Sequence, residues 1–175
     1  MQTIFKNTIY KLTLPLITIL IITFSGCGIY SFTGASIPPE AKTVSIQYFP
    51  NKSTLIEPTL SDIFTNTLRD QFTSQTNLTM VDKNGDLALE GEIIDYKITP
   101  VAIQGNQTAA TNRLTVTVNV RFTNRFEPSK DFETKFNQFA DYPSTEDFNS
   151  VKEQLIKQIT TNLSDNIFNK AVINW

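Results

Sequence analysis

Between Leu114 and Phe122 every second residue is apolar, with Leu114, Val116, Val118, Val120 and Phe122 alternating with Thr115, Thr117, Asn119 and Arg121. A period of two puts all five apolar side chains on one face of a β-strand, so the chain must supply a second layer to cover that face. Two amphipathic stripes answer the need. From Pro58 to Gln75 the residues Leu60, Ile63, Phe64, Leu68 and Phe72 recur at helical spacing, with Pro58 near the first turn. Phe148, Val151, Leu155, Ile159, Leu163 and Ile167 do the same near the C-terminus, while Lys152, Glu153, Lys157 and Asp165 face away. Ser144 or Thr145 is placed to cap this second helix, with Glu146 and Asp147 in its first turn.

The remaining elements are shorter. Val44, Ile46 and Tyr48 alternate with Thr43, Ser45 and Gln47 up to Pro50, which predicts a first strand with the former three buried. Leu78–Val81 reads as a short strand, and Asp82-Lys83-Asn84-Gly85-Asp86 as a turn of hairpin type, because Asn-Gly accepts positive φ. The same segment fails as a calcium loop: starting at Asp82, the positions that require Gly and Glu hold Leu87 and Ile93. Leu87, Leu89 and Ile93, then Ile94, Tyr96 and Ile98, change parity, which predicts a long strand with a bulge near Gly91, ended by Pro100. Residues 105–112 read as a polar loop. Glu127-Pro128-Ser129-Lys130 reads as a turn, and Phe132, Thr134 and Phe136 open a last strand that runs to about Tyr142. The expected fold is α+β: a two-layer sandwich with two amphipathic helices on one face of a four- or five-stranded, mostly antiparallel sheet.

Composition narrows the chemistry. At 175 residues and about 150 residues per domain, the chain holds one domain. It has no histidine and a single cysteine, which removes Ser-His-Asp and Cys-His nucleophile pairs, Cys/His zinc sets and intrachain disulfides. The net charge of -2 supplies no positive field for a phosphate backbone, so no nucleic-acid partner is expected. No cofactor or metal is expected either. A glycosidase-like enzyme would need two carboxylates across a cleft, and Glu90, Glu92 and Asp95 on one strand are the candidates, but a solvated strand looks the same. The reading is non-enzymatic.

The N-terminus carries an address. After Lys6 and Lys11 come thirteen uncharged residues, Leu12 to Phe24, then Ser25, Gly26 and Cys27. This is the pattern of a secretory signal peptide and is too short, with Pro15 inside it, for a permanent span. Phe24-Ser25-Gly26-Cys27 resembles a bacterial lipobox, with Phe24 where Leu is commonest. Residues 1–26 are then a cleaved signal peptide, Cys27 is the lipidation site, residues 27–41 form a lipidated tether with Pro38-Pro39, and residues 42–175 form the single α+β domain. Three acyl chains, palmitate among them, exceed the two signals that stable anchoring needs. By lipoprotein sorting rules Gly28 beside the cysteine resembles an outer-membrane address, with the domain facing the periplasm.

Three strings, GCGIYSFTGASIPPEAKTVSIQYFPN, DLALEGEIIDY and FADYPSTEDF, occur in this order ahead of the terminal helix. Together they make the chain resemble the LptE family of lipopolysaccharide-assembly lipoproteins, from Cys27 to about Asn169. The resemblance implies a helix-on-sheet plug inside the outer-membrane β-barrel LptD, which it helps to assemble and through which lipopolysaccharide reaches the outer leaflet. A different envelope complex, served by the same chain as an adaptor or ligand-binding accessory, is the alternative, and a purely structural surface lipoprotein a third reading. Arg113, Arg121, Arg125, Lys130 and Lys135 could face lipid phosphates, but Glu127, Asp131 and Glu133 are interleaved with them, as on a cross-paired sheet face. The aromatic run Phe122, Phe126, Phe132, Phe136, Phe139 and Tyr142 is expected in the core. Tyr30 and Phe32 suit a headgroup layer or a barrel wall.

Overall fold

A computed structural model describes residues 37–101 and 110–173. Cys27, Tyr30, Phe32, the signal peptide and most of the tether lie outside these residues, as does much of the polar loop. The chain runs β1 (Thr43–Ile46), α1 (Leu60–Gln75), β2 (Thr79–Val81), β3 (Leu87–Val101), β4 (Thr111–Asn124), a 3-10 turn (Pro128–Lys130), β5 (Phe132–Pro143) and α2 (Phe148–Val172). The five strands form one sheet in the order β2-β1-β3-β4-β5.

This is the α+β sandwich the patterning predicts, but the sheet is mixed. β3, β4 and β5 are antiparallel neighbours, whereas β1 runs parallel to both β2 and β3. The cause is connectivity. α1 lies between β1 and β2, and a helical crossover returns the chain to its starting end. The Asp82–Asp86 segment is therefore no hairpin, since β1 separates β2 from β3. It crosses β1 instead, and its local chemistry is as read: Asn84 sits at φ 57, and a Cβ on Gly85 would lie 2.5 Å from the Ser45 nitrogen.

The core is the face the alternation points to. Leu114, Val116, Val118, Val120 and Phe122 of β4 are buried, as are Leu60, Phe64, Leu68 and Phe72 of α1 and Leu155, Ile159, Leu163 and Ile167 of α2. Burying each such side chain contributes about 2 kcal/mol of transfer free energy. α2 buries a second row as well, including Ile156, Thr160, Ser164 and Phe168, because it packs on α1 and on the sheet at once; Phe168 meets Phe72 edge-on at 5.1 Å. Asp147, not Ser144 or Thr145, is its N-cap, and no side chain caps it. Glu146 precedes the helix, and its first turn holds no acid.

Two other local readings shift. The bulge in β3 lies between Ile93 and Asp95, beyond Gly91, so Leu87, Leu89 and Ile93 share the core face with Tyr96 once the extra residue, Ile94, has reset the parity. β1 ends at Ile46, so the alternation stops before Tyr48. Tyr48 is 52% exposed, and Phe49 is buried in its place. A Cβ on Gly91 would lie 2.7 Å from the Phe49 ring and 2.0 Å from the Asn119 carbonyl oxygen. Gly91 is the gap that Phe49 fills. β3 continues one residue past Pro100, where it has left β1 and needs no donor on that side.

Candidate functional site

The helices cover one face of the sheet and leave the other open, so the functional question falls on that open face. Strand parity decides what it displays: Glu90 and Glu92 on β3, Arg113, Asn119 and Arg121 on β4, and Glu133, Lys135, Phe139 and Asp141 on β5. The register then pairs opposite charges across strands. Glu90 lies opposite Arg121 and accepts a hydrogen bond from its Nε at 2.7 Å. Arg113 lies opposite Asp141 and holds it in a fork, Nε to Oδ1 at 2.7 Å and a terminal nitrogen to Oδ2 at 2.9 Å. That fork holds the Asp141 carboxyl below the usual aspartate range. Asn119 donates to Glu133 at 3.0 Å.

These ladders answer the question of the basic candidates. Arg113 and Arg121 are paired across strands, Arg125 lies 3.9 Å from Asp86, and Lys130 reaches Glu127 at 2.8 Å. These four make separate pairs, two across the sheet and two in its connections, and do not converge into one phosphate-binding cluster. Of the acidic candidates, Glu90 and Glu92 line a common groove of about 430 Å³, with Arg121, Asn119, Tyr48 and Gln47 around them. Asp95 lies past the bulge and pairs with Lys97 at 2.6 Å. The groove wall formed by Gln47, Tyr48 and Pro50 is absent from the sequence reading, because the period-two rule assigned Tyr48 to the core.

The aromatic run divides by the same parity. Phe122 stacks on Phe132 with centroids 5.3 Å apart, Phe132 meets Phe136 edge-on at 6.1 Å, and Tyr142 packs on Phe148 at 5.8 Å. Phe139 falls on the open face, 47% exposed, with the Arg113 guanidinium 3.7 Å above its ring. Phe126 sits in the β4–β5 connection, 42% exposed. These two are surface, not core.

Two polar nodes, one part-buried and one buried, hold the domain's ends. Asp86 Oδ2 accepts from the backbone nitrogens of Lys42 and Thr43, each at 3.0 Å, and from Thr43 Oγ1 at 2.8 Å. The Lys42 bond foremost, with those of Thr43, holds its carboxyl below the ordinary value. At the other end Glu57 is 8% exposed. Burial pushes its pKa up, but the bonds from Lys152 and Thr59 outweigh that and leave it lowered. Tyr96, beside it, is pushed up to about 12 by burial and then by the charges of Glu57 and Tyr142. Among the described residues no group of three or more His, Cys, Asp or Glu could hold a metal ion, and no helix is long and apolar enough to cross a membrane.

A helix-backed mixed sheet with a charge-laddered open face is a two-layer sandwich of the α+β class. A family match makes that class specific. The chain belongs to the LptE family, described as lipopolysaccharide-assembly, whose model matches residues 41–171. The fold is similar to that of a minor lipoprotein from Acinetobacter baumannii at 14% identity, TM-score 0.51, covering 77% of this chain and 92% of that one. A rare lipoprotein B from Shewanella oneidensis matches at 16% identity, TM-score 0.44, over 73% of this chain and 92% of that one. No curated protein matches the sequence.

Proposed function

We propose that this chain is a lipoprotein of the outer membrane, anchored through Cys27, whose domain seats in an LptD-type β-barrel and assists its assembly and the delivery of lipopolysaccharide to the outer leaflet. The observation that carries the reading is the extent of the family match, residues 41–171, which takes in every strand and nearly all of both helices. The open face agrees with it physically. A large outer-membrane barrel has a polar lumen, and a body that fills one needs a rigid core with polar, internally neutralised sides. Glu90 with Arg121 and Arg113 with Asp141 are such neutralised pairs. The role is non-catalytic in this reading, and the carboxyls with displaced pKa, Glu57, Asp86 and Asp141, are all displaced downward, which disfavours each of them as a proton donor at neutral pH.

The test is a mild-detergent pull-down of the tagged full-length protein from envelopes. A large outer-membrane β-barrel recovered in equal amount supports the proposal, and recovery of a different envelope complex, or of no partner, overturns it. The anchor is tested separately: Cys27→Ala is expected to abolish labelling by a fatty-acid analogue and to leave the chain uncleaved or soluble, and unchanged labelling and fractionation would disprove lipidation at Cys27.

A further inference from the structure

The segment that crosses β1 contains the sole Asn-Gly pair of the sequence, Asn84-Gly85. The fold suits the first residue and demands the second. Asn84 holds a positive φ of 57°, which asparagine tolerates better than most residues. A Cβ at Gly85 would lie within 2.7 Å of the Val44 carbonyl carbon and the Leu87 oxygen. Yet Asn-Gly is also the pair in which the following nitrogen is least hindered from attacking the asparagine side chain. Asn84 itself is exposed to solvent. What stands in the way is Ser45: the Gly85 N–H donates to its Oγ at 3.1 Å, and Ser45 is only 2% exposed, so water does not compete freely for that bond.

The geometry points to Asn84 as a deamidation site that the Ser45 hydroxyl holds closed. In the reaction the Gly85 nitrogen gives up its proton to hydroxide and attacks Asn84 Cγ. The N–Cγ bond forms, the Cγ–Nδ2 bond breaks, and ammonia leaves after taking a proton from water. Water then opens the cyclic imide at either carbonyl, leaving aspartate or isoaspartate. No oxidant or reductant takes part. The first step needs the Gly85 nitrogen free of its proton and free to turn, and the bond to Ser45 opposes both. The product matters because of its neighbour. Asp86, two residues on, ties down Lys42 and Thr43, and a new charge or an extra backbone methylene at position 84 disturbs that clamp at the point where the chain enters the domain.

Peptide mapping of the purified full chain at mildly alkaline pH, folded and in urea, measures aspartate plus isoaspartate at position 84. The folded chain is expected to react at least about tenfold more slowly, a factor equal to ~1.4 kcal/mol of barrier. Ser45→Ala, shown folded by circular dichroism, is expected to close most of that gap, with no effect in urea. Equal rates in folded and unfolded parent chain, or a folded Ser45→Ala with the parent's rate, overturn the proposal. Should Ser45→Ala not fold, hydrogen exchange of the Gly85 amide in the parent decides: slow exchange supports the restraint, and exchange at the unprotected rate refutes it.

Discussion

Lys152 Nζ donates to Glu57 Oε2 at 2.9 Å, joining two residues 95 positions apart in the chain. One belongs to the loop before α1 and the other to the first turns of α2, so this ion pair ties together the two helices' entry points. Thr59 Oγ1 shares the same carboxylate at 3.0 Å.

Removing one partner should cost more than removing both. Lys152→Ala leaves the Glu57 carboxylate buried without its cation, for an expected loss of about 1–3 kcal/mol. The double change to Lys152→Ala with Glu57→Leu should recover part of that loss, read from urea midpoints. The pH sign follows from the lowered pKa of Glu57: its contribution is complete above the ordinary value of 4.5 and is lost as pH falls through the folded-state value. Lys152→Ala should therefore narrow the stability difference between neutral pH and pH values below 4.5; an undiminished difference would show that the pair is not the acid-sensitive group.

Asp86 predicts a second acid-sensitive element at the opposite end. Its pKa is lowered from 3.8, with the Lys42 backbone bond the largest cause. Stability from this group is present above 3.8 and lost as pH drops below it. Asp86→Asn should lower the thermal midpoint at neutral pH and leave it closer to the parent's at low pH. Hydrogen exchange at the Lys42 and Thr43 amides should quicken in the variant, and unchanged exchange there would refute the clamp.

Gly91→Ala should lower stability by about 2 kcal/mol or more, the cost of forcing atoms into a filled core. The Cβ would meet the Asn119 carbonyl oxygen at 2.0 Å as well as the Phe49 ring. Phe49→Leu should therefore relieve only part of the damage, because the backbone contact remains. Full rescue in the double variant would show that the ring alone excludes a side chain.

Leu163 has no exposed surface. Leu163→Asp buries an unpaired charge in the α2 core stripe and should abolish the cooperative thermal transition, as seen by circular dichroism. A normal transition would mean that the stripe is not packed as described.

Most of the fold is legible in one dimension because its largest elements obey one period each. The five alternating residues of β4 and the helical stripes of α1 and α2 define two faces that have no stable arrangement except against each other. The family resemblance is legible as well, in ordered strings spread along the chain. What periodicity cannot supply is where a strand stops. Val44, Ile46 and Tyr48 continue one alternation, but β1 ends at Ile46, Phe49 swings into the space above Gly91, and Tyr48 is left on the wall of a groove that local pattern does not reveal.

The sequence by itself determined the helix-on-sheet architecture, the buried faces of the long elements and the turn chemistry of Asn84-Gly85, since each depends on neighbours only a few residues away. Tertiary structure alone decided that β1 inserts between β2 and β3, that Glu57 finds Lys152, that Arg113 and Arg121 are spent on cross-strand partners, and that Ser45 reaches the Gly85 nitrogen. Strand order and these pairings join residues from about thirty to ninety positions apart. They are set by which compact arrangement buries the apolar faces while satisfying every buried donor and acceptor it can, a condition on the whole chain that no local window contains.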